Sequence, residues 1–249
     1  MRLLCLCLLL ATTSASAADF EGIITGKPIT PDGGKAGIES MKMYLSAAGF
    51  RVEVAGAMGQ QFAMLCLAST AGTVYILDPA SKTYLKRDTS KAQQAATTQP
   101  APKVEKLGKT TFLGRAVERV KVTNSSGQSS EVWVDTSLHY PASAVTACGH
   151  ERGSGSGLWR ALQALEKAGV GGIPLKEVNS WDATSVEKQK LAATLFQVPA
   201  DYHETKNAMD MVPAGVKQQL QNLTPEQRAK LEEAMKGAQQ PPPPSQPQQ

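Results

Sequence analysis

The chain has 249 residues, 41% of them hydrophobic, and a formal net charge of +4. This length fits one large domain or two small ones. Its basic residues are scattered rather than clustered, whereas a nucleic-acid-binding protein presents a dense basic face, so we do not expect nucleic acid as a partner.

The N-terminus has the pattern of a secretory signal peptide. Residues 1–17, MRLLCLCLLLATTSASA, hold one arginine, an uncharged apolar run, and Ala15 and Ala17 as an A-x-A cleavage site. The run is much shorter than the roughly 20 residues that cross a bilayer, so we expect no stable membrane anchor. We therefore predict a periplasmic or secreted protein that begins after Ala17.

Short runs of alternating apolar residues predict β-strands in the first third of the chain. They read DFEGIITGKPIT, IESMKMYLSAAG and FRVEVAG. The next run, QFAMLCLAS, is continuously apolar, which is typical of a strand covered on both faces. TVYILDPASKTYLKR then predicts a hairpin that turns over residues 78–82, because Asp and Pro favour turns.

Residues 87–103 are rich in Ala, Gln, Thr and Pro and lack an apolar period, which predicts a flexible surface loop between two parts of one sheet. A second hairpin follows, with its turn at NSSGQ and Gly127 available for a positive φ. The apolar positions that we predict on its two strands are Val120, Val122, Val132 and Val134. SAVTACG suggests a further short strand.

SGSGLWRALQALEKAGVGG predicts a helix. Leu158, Leu162 and Leu165 recur at helical spacing, Trp159 adds to the same stripe, and Gly169 is a natural stop. The following segment, IPLKEVNSWDATSVEKQK, returns to the spacing of strands.

The C-terminal part is predicted to form a helical extension over residues 207–237. It includes Thr224-Pro225-Glu226-Gln227, where a Thr cap precedes Pro and Gln in the first turn. Residues 238–249 are rich in Pro and Gln and predict a disordered tail that cannot join a packed core. The helices could pack on a sheet, dock a protein partner of the envelope, or remain a solvated extension.

The order of five motifs resembles a known family. DFEGIIT, YILDPASKTYL, LGKTTFLGRAVERVKV, EVWVDTSL and LFQVPADYHE resemble exported bacterial proteins that share a domain of unknown function, and more distantly the superfamily of the lipoprotein carriers LolA and LolB. The resemblance implies an α+β fold over residues 18–206. It would be a curved antiparallel sheet, or half-open β-barrel, with helices in or across a hollow that holds acyl chains in the carriers.

The polar residues of LFQVPADYHE are the first candidate site. Asp201, Tyr202, His203 and Glu204 are close enough in sequence to suggest catalysis. The resemblance implies instead a closing strand that Pro199 ends, because Pro lacks the N–H that a ladder needs. We therefore predict a structural role for these four residues.

Cys148 and His150 form a C-x-H pair, which raises the question of a metal site. A zinc site needs three or four ligands, and only His139 and His203 could supply further imidazoles. Since no nucleophile, base and orienting acid are identifiable together either, we predict no metal, no cofactor and no enzymatic activity.

An apolar cavity is the remaining candidate site. Its predicted lining is Leu158, Trp159, Leu162, Leu165, Met41 and Met43. These residues could equally be ordinary core, or the helix could fill one end of the hollow and leave the other open. We predict a non-enzymatic protein that binds an apolar ligand such as a lipid or a lipoprotein acyl chain. The alternative is an envelope interaction module with a closed, dry core and a partner bound by its C-terminal helices.

Cys66 and Cys148 are the two cysteines that follow the predicted signal peptide. Export exposes both to oxidants, which permits a disulfide between them, and two separate buried thiols are the alternative. A bridge would close a segment of about 80 residues and stabilise the fold by roughly 4 kcal/mol on chain-entropy grounds.

Overall fold

The computed structural model of this protein describes residues 19–29, 38–56, 59–89, 100–124, 127–140, 162, 164–211, 222, 224 and 226. Within these residues the chain is mostly β-sheet. The strands are β1 (Gly22–Pro28), β2 (Ile38–Ser46), β3 (Gly49–Gly56), β4 (Gln61–Leu67), β5 (Thr73–Asp78), β6 (Thr83–Asp88), β7 (Lys103–Phe112), β8 (Arg115–Thr123), β9 (Ser129–Asp135), β10 (Ile173–Glu177), β11 (Trp181–Lys188) and β12 (His203–Thr205). Helix α1 is described at residues 162 and 164–167, residue 226 is also helical, and 3-10 turns occur at Ala68–Thr70, Ala193–Phe196 and Ala208–Met211.

All twelve strands belong to one open sheet. Their order is β12-β6-β5-β4-β3-β2-β1-β11-β10-β9-β8-β7. It follows from two runs of consecutive antiparallel strands, β1 to β6 and β7 to β11, which join where β1 pairs antiparallel with β11. Only the short β12 pairs in parallel, with β6. The α+β fold predicted from the sequence is therefore mainly sheet in the described part of the chain.

Most strands predicted from apolar periodicity are confirmed, as are both hairpin turns. The carboxylate of Asp78 accepts hydrogen bonds from the Ala80 N–H (2.9 Å) and the Ser81 hydroxyl (2.7 Å), and Lys82 takes a φ of 52°. Gly127 takes the expected positive φ, 84°. Of the segment 87–103 predicted as a loop, the first two residues belong to β6 and Lys103 begins β7, while residues 90–99 lie outside the described part of the chain.

The sheet curves toward one face, which we call the inner face. A single apolar cluster there joins Phe50 and Val74 of the first run of strands to Val120 and Val132 of the second. These strands lie far apart in the order of the sheet, so their side chains share one core only because the sheet bends around it.

Helix α1 packs into that core. Leu162 and Leu165 are 6% and 1% exposed and belong to the inner cluster. The helix ends at Gly169, whose φ is 68°, and the Val170 N–H donates to the Leu165 carbonyl (2.8 Å). With the bond from Gly169 N–H to Glu166 (3.0 Å), this is a Schellman motif, so the predicted glycine stop is confirmed.

The opposite, outer face of β2 to β5 is covered by residues 189–202, which we call the strap. The strap leaves β11, crosses the outer face and reaches the sheet edge, where β12 pairs with β6. Leu191 and Phe196 of the strap are buried against Tyr44, Leu65 and Leu77 in a second apolar cluster. The central strands are therefore buried on both faces, as the continuous apolar run of β4 predicted.

The closing strand predicted at LFQVPADYHE is wrong. Ala193–Phe196 is a 3-10 turn of the strap, and the strand is His203–Thr205, which lies after Pro199, where the prediction ended the strand. The physical reason is that Leu195, Phe196 and Val198 pack onto the outer face of strands already paired to each other, rather than joining their ladder.

Several predicted segments lie outside the described residues. They are the signal peptide, the SAVTACG strand, the first part of the predicted helix, most of the C-terminal extension and the Pro/Gln tail. Among the residues that are described, no helix is long and apolar enough to cross a membrane.

We expect the strap to contribute strongly to stability. Phe196 is 5% exposed, so Phe196→Ala should lower the free energy of unfolding by roughly 3 kcal/mol through lost burial and the cavity left behind. Urea unfolding followed by circular dichroism measures this change. The matched control is the neighbouring exposed Gln197→Ala, and equal stability of the two variants would show that the strap is not part of the core.

Candidate functional site

The register of β2 to β5 places the inner side chains in rows that run across the strands. In an antiparallel pair, directly opposed residues point to the same face, and alternate residues return to it. The first row is Leu45, Phe50, Cys66 and Val74; the second is Met43, Val52, Met64 and Ile76; the third is Met41, Val54 and Phe62; the fourth is Ile38 and Gly56.

Burial decreases steadily from the first row to the fourth. Every member of the first row is at most 2% exposed. In the second row Met43 and Val52 are buried at 3% and 7% exposed, whereas Met64 and Ile76 are only partly buried. The inner face is thus fully buried at the first row, and some of its side chains become partly exposed at the second.

Every residue of the third and fourth rows is half-buried or exposed. Met41, Val54 and Phe62 are all half-buried. In the fourth row Ile38 is 41% exposed. We call this end of the inner face, from the third row to Ile38, the open end.

The Trp181 side chain bounds the inner face beside β1. It lies opposite Pro28 in the β1–β11 register and is 7% exposed. Its ring lies directly over Gly26, where a Cβ atom would collide with the indole and would approach the Asp182 carbonyl oxygen to 2.8 Å. Glycine at position 26 therefore allows the indole to lie flat against β1.

The residues of these four rows carry no charged side chain, and Asp78, two residues beyond Ile76 on β5, directs its carboxylate to the Ala80 N–H and the Ser81 hydroxyl of the turn. Charged residues of the same strands, such as Lys42, Arg51 and Glu53, alternate with them and point to the outer face. An ionised group is costly to bury without a partner, so this lining suits an uncharged, apolar occupant. The thioethers of Met41, Met43 and Met64 adapt their shape to such an occupant.

The polar contacts of these strands are concentrated on the outer face. Arg51 forms an ion pair with Glu53 (2.9 Å) and donates to the Leu195 carbonyl of the strap (3.2 Å). The Tyr44 hydroxyl donates to Glu53 (2.8 Å). Burial and this hydrogen bond raise the pKa of Tyr44 to about 12, so the phenol remains a neutral donor. The network holds the strap rather than a ligand.

A second outer cluster surrounds Trp133. The Lys176 ammonium and the Arg119 guanidinium lie 5.2 and 5.8 Å from its ring centroid, and the Phe112 ring packs edge-on at 5.6 Å. Glu131 accepts hydrogen bonds from Arg119 and from the Trp133 indole, both 2.7 Å. The Arg119 bond, then the indole bond, lower the pKa of the Glu131 carboxyl. Because each cation already has a carboxylate or an aromatic ring beside it, we assign this cluster to stability.

Only some of the lining residues predicted from the sequence lie near one another in the structure. Met41 and Met43 lie in the third and second rows, and Leu162 and Leu165 are buried core of α1. Leu158 and Trp159 lie outside the described residues. Sequence reasoning missed Val54, Phe62 and Trp181, although strand alternation places the first two on the inner face once the register is known.

The polar residues 201–204 make separate contacts with β6, its turn and the outer cluster. Asp201 forms an ion pair with Lys82 (2.9 Å), which lowers the pKa of the carboxyl chiefly by hydrogen bonding. The Tyr84 hydroxyl donates to Glu204 (3.4 Å), and Tyr202 packs on the outer cluster. His150 and Cys148 lie outside the described residues, within which no three potential metal ligands lie together.

Cys66 lies in the closed first row, is fully buried and is bonded in a disulfide. Cys148 lies outside the described residues, so its pairing with Cys66 stays a prediction.

The fold and the candidate site define a class: a single curved, open, mainly antiparallel sheet with an apolar inner face that is filled at one end. The chain belongs to the family described as a domain of unknown function, DUF4412, whose profile matches residues 20–202. No curated protein gives a significant sequence match.

Solved structures show distant likenesses. An uncharacterized conserved protein from Thermus thermophilus has 11% identity and a TM-score of 0.44, over 76% of this chain and 91% of that chain. The Mycobacterium tuberculosis lipoprotein LppX has 13% identity and a TM-score of 0.30, over 49% and 76%. An outer membrane lipoprotein-sorting domain from Vibrio parahaemolyticus has 11% identity and a TM-score of 0.28, over 73% and 90%. Likenesses at these TM-scores do not establish a function for this chain.

We expect Gly26→Ala to disturb the wall of the hollow. The new methyl group must displace the Trp181 ring, which should cost roughly 1–3 kcal/mol of stability and shift the tryptophan emission to longer wavelength. Thermal unfolding and fluorescence spectra measure both effects. Gly171→Ala is the control, because nothing lies within 4 Å of its added Cβ; an unchanged spectrum for Gly26→Ala would contradict the packing of the indole on β1.

We expect the partner of Cys66 to be Cys148. Intact mass of the exported protein after alkylation without reductant should show no added label, and reduction before alkylation should add two. Two labels without reductant would exclude the bridge.

Proposed function

We propose that this protein is a non-enzymatic, exported binding protein for an apolar ligand, such as a lipid or a lipoprotein acyl chain. The ligand covers the open end of the inner face and the partly exposed Met64 and Ile76 of the second row. The signal-peptide pattern of residues 1–17 supports export.

The burial gradient is the observation that carries this proposal. The first row is fully buried, whereas the rows toward Ile38 leave neighbouring apolar side chains partly exposed. Here Met64 and Ile76 are partly exposed, and Ile38 is 41% exposed. Contiguous apolar surface of this kind marks ligand grooves and interaction sites, whereas single exposed apolar residues do not.

The energetics favour an occupant that covers the rows together. Apolar surface removed from water contributes roughly 2.5 kcal/mol per 100 Å², on both the protein and the ligand side. The flexible methionines reduce the need for a shape-matched ligand. An apolar chain gains this energy without leaving a buried charge unpaired, since no charged residue faces it in these rows.

The outer face supplies the rigidity that such a site needs. The strap buries the outer side chains of β2 to β5, and Arg51 fixes it to the sheet. The strands therefore retain one complete core even where their inner side chains are partly exposed.

We predict that Val54→Glu abolishes binding of a fluorescent fatty acyl probe to delipidated protein. The carboxylate would project into the third row, where a ligand chain would have to bury it. The matched control is Ala55→Glu, because Ala55 is half-buried on the same strand end but faces outward. Titration by probe fluorescence, with circular dichroism to confirm folding, measures the difference; Phe62→Ser tests the same row if Val54→Glu does not fold.

Absence of saturable binding to the unsubstituted protein would overturn the proposal and favour the interaction module with a dry core. Cross-linking of the full chain and of a form ending at residue 206 then tests that alternative. Loss of partners in the shorter form would place the contact in the C-terminal extension.

A further inference from the structure

The β7–β8 hairpin holds the excess positive charge of the chain. Residues 103–123 include six of the 26 basic residues and two of the 22 acidic residues, so the remaining 20 bases and 20 acids balance. The bases are Lys103, Lys106, Lys109, Arg115, Arg119 and Lys121, and the acids are Glu105 and Glu118. This hairpin forms one edge of the sheet, because β7 is the last strand in the order.

The free charge of the hairpin lies on its lysines. Arg115 and Arg119 form ion pairs with carboxylates of β9. Lys106 lies 3.8 Å from a carboxylate oxygen of the facing strand β8. Lys103 and Lys109 are exposed, and no carboxylate of the described chain forms an ion pair with either of them.

The two free lysines flank the edge of β7. Lys103 lies opposite Thr123 and Lys109 opposite Glu118, and these two residues of β8 point to opposite faces. The edge therefore carries a free cation on each face. A long lysine stem can extend past the edge from either face.

The same hairpin exposes two large apolar side chains. Leu107 is 40% exposed at the bulge of β7 between Lys106 and Gly108, and Leu113 is 42% exposed in the turn. At about 3.3 Å per residue, the two leucines are about 20 Å apart along the edge. Neither belongs to an apolar cluster of the described fold.

Leu113 occupies a turn position that favours other residues. Leu113 and Gly114 have φ values of 51° and 71°, as in a two-residue type I′ hairpin turn, whose first position usually holds Asn, Asp or Gly. A bulky side chain is disfavoured at positive φ. Lys82 and Asn179, the other described non-glycine residues with positive φ, are polar. The turn therefore places an apolar side chain in water at a conformational cost, and such outliers concentrate at functional sites.

An anionic lipid surface fits this edge better than a protein strand or pocket does. Edge lysines and a β-bulge oppose the addition of a partner strand, and β7 has both. A protein interface has a contiguous buried core, whereas these leucines are far apart with a lysine between them. A layer of anionic head groups offers negative charge along the whole edge and admits single apolar side chains.

We propose that the β7 edge docks reversibly on an anionic lipid bilayer surface. Leu107 and Leu113 insert among the head groups, and Lys103 and Lys109 lie beside lipid phosphates. This surface is separate from the inner face, and the inference does not depend on the proposed ligand. Two leucines and a few lysines give weak, salt-sensitive binding, in keeping with the absence of a stable anchor expected from the sequence.

The test is co-sedimentation of the exported protein with lipid vesicles. One set contains phosphatidylcholine alone, and the other contains equal parts of phosphatidylcholine and phosphatidylglycerol. We expect binding to the anionic vesicles that weakens as salt rises, because salt screens exposed charges. Equal binding to both sets, or binding to neither, would overturn the proposal.

Leu113→Asn separates docking from folding. Asn adopts a positive φ more readily than leucine, so thermal stability should be unchanged or higher. The dissociation constant for anionic vesicles should rise about fivefold, the factor for losing burial of the exposed two fifths of a leucine side chain. The control is Ile29→Asn, because Ile29 is similarly exposed (36%) just past the end of β1, outside the hairpin. Equal affinity of Leu113→Asn and the unsubstituted protein would contradict insertion of the turn.

The lysines have their own variant. Replacing Lys103 and Lys109 by Gln should raise the dissociation constant about 25-fold at low salt, since each lysine near an anionic surface contributes about a factor of five. The control replaces Lys86 and Lys188, exposed lysines of β6 and β11, by Gln and so removes the same charge elsewhere. An equal loss in both variants would assign the binding to net charge rather than to the β7 edge and would overturn the proposal.

Discussion

The antiparallel register of β2, β3 and β4 is the constraint on which the rest of the structure depends. It sets Met43, Val52 and Met64 side by side on the inner face and turns Tyr44, Arg51 and Leu65 outward. A slip of one residue would exchange these sets, placing a guanidinium in the hollow and methionines beneath the strap. Both the second core and the candidate site require this one register, because each is built from alternate residues of the same strands.

Two-sided burial explains how an incompletely filled inner face is compatible with a stable sheet. The outer cluster under the strap is closed, with Leu65 and Leu77 at most 1% exposed, and the first inner row is closed as well. The strands are therefore held on one face along their length and on the other face at one end. Only the apolar side chains toward the open end of the inner face stay partly exposed to water, so covering them requires no change in the sheet. The parallel strand β12 has three residues and holds the end of the strap beside β6.

Much of this fold could be predicted from sequence, because alternation and turn chemistry are local. The turn at Asp78 uses the side-chain bonds expected of Asp, and the Schellman ending at Gly169 follows from glycine's access to positive φ. The strap could not be predicted in this way. A short apolar run such as LFQV is compatible with a strand or with a covering segment, and the choice depends on whether the outer face of distant strands is already occupied. Likewise, Met41 and Met43 were predicted together as lining, but Met41 is half-buried and Met43 is buried, a difference of tertiary packing that no local pattern encodes.

The separation of charge between the two faces is the final element that links the fold to binding. The ion pairs and hydrogen bonds of Arg51, Glu53 and Tyr44 lie outside the inner rows. Electrostatic interactions can thus stabilise the scaffold without setting a charge in the hollow, where an unpaired ion would oppose an apolar ligand. The indole over Gly26 and the closed first row bound the inner face on two sides. The packing of this face therefore changes from dense to partly exposed between the first row and the third, and the sequence encodes that change through the residues that close the first row.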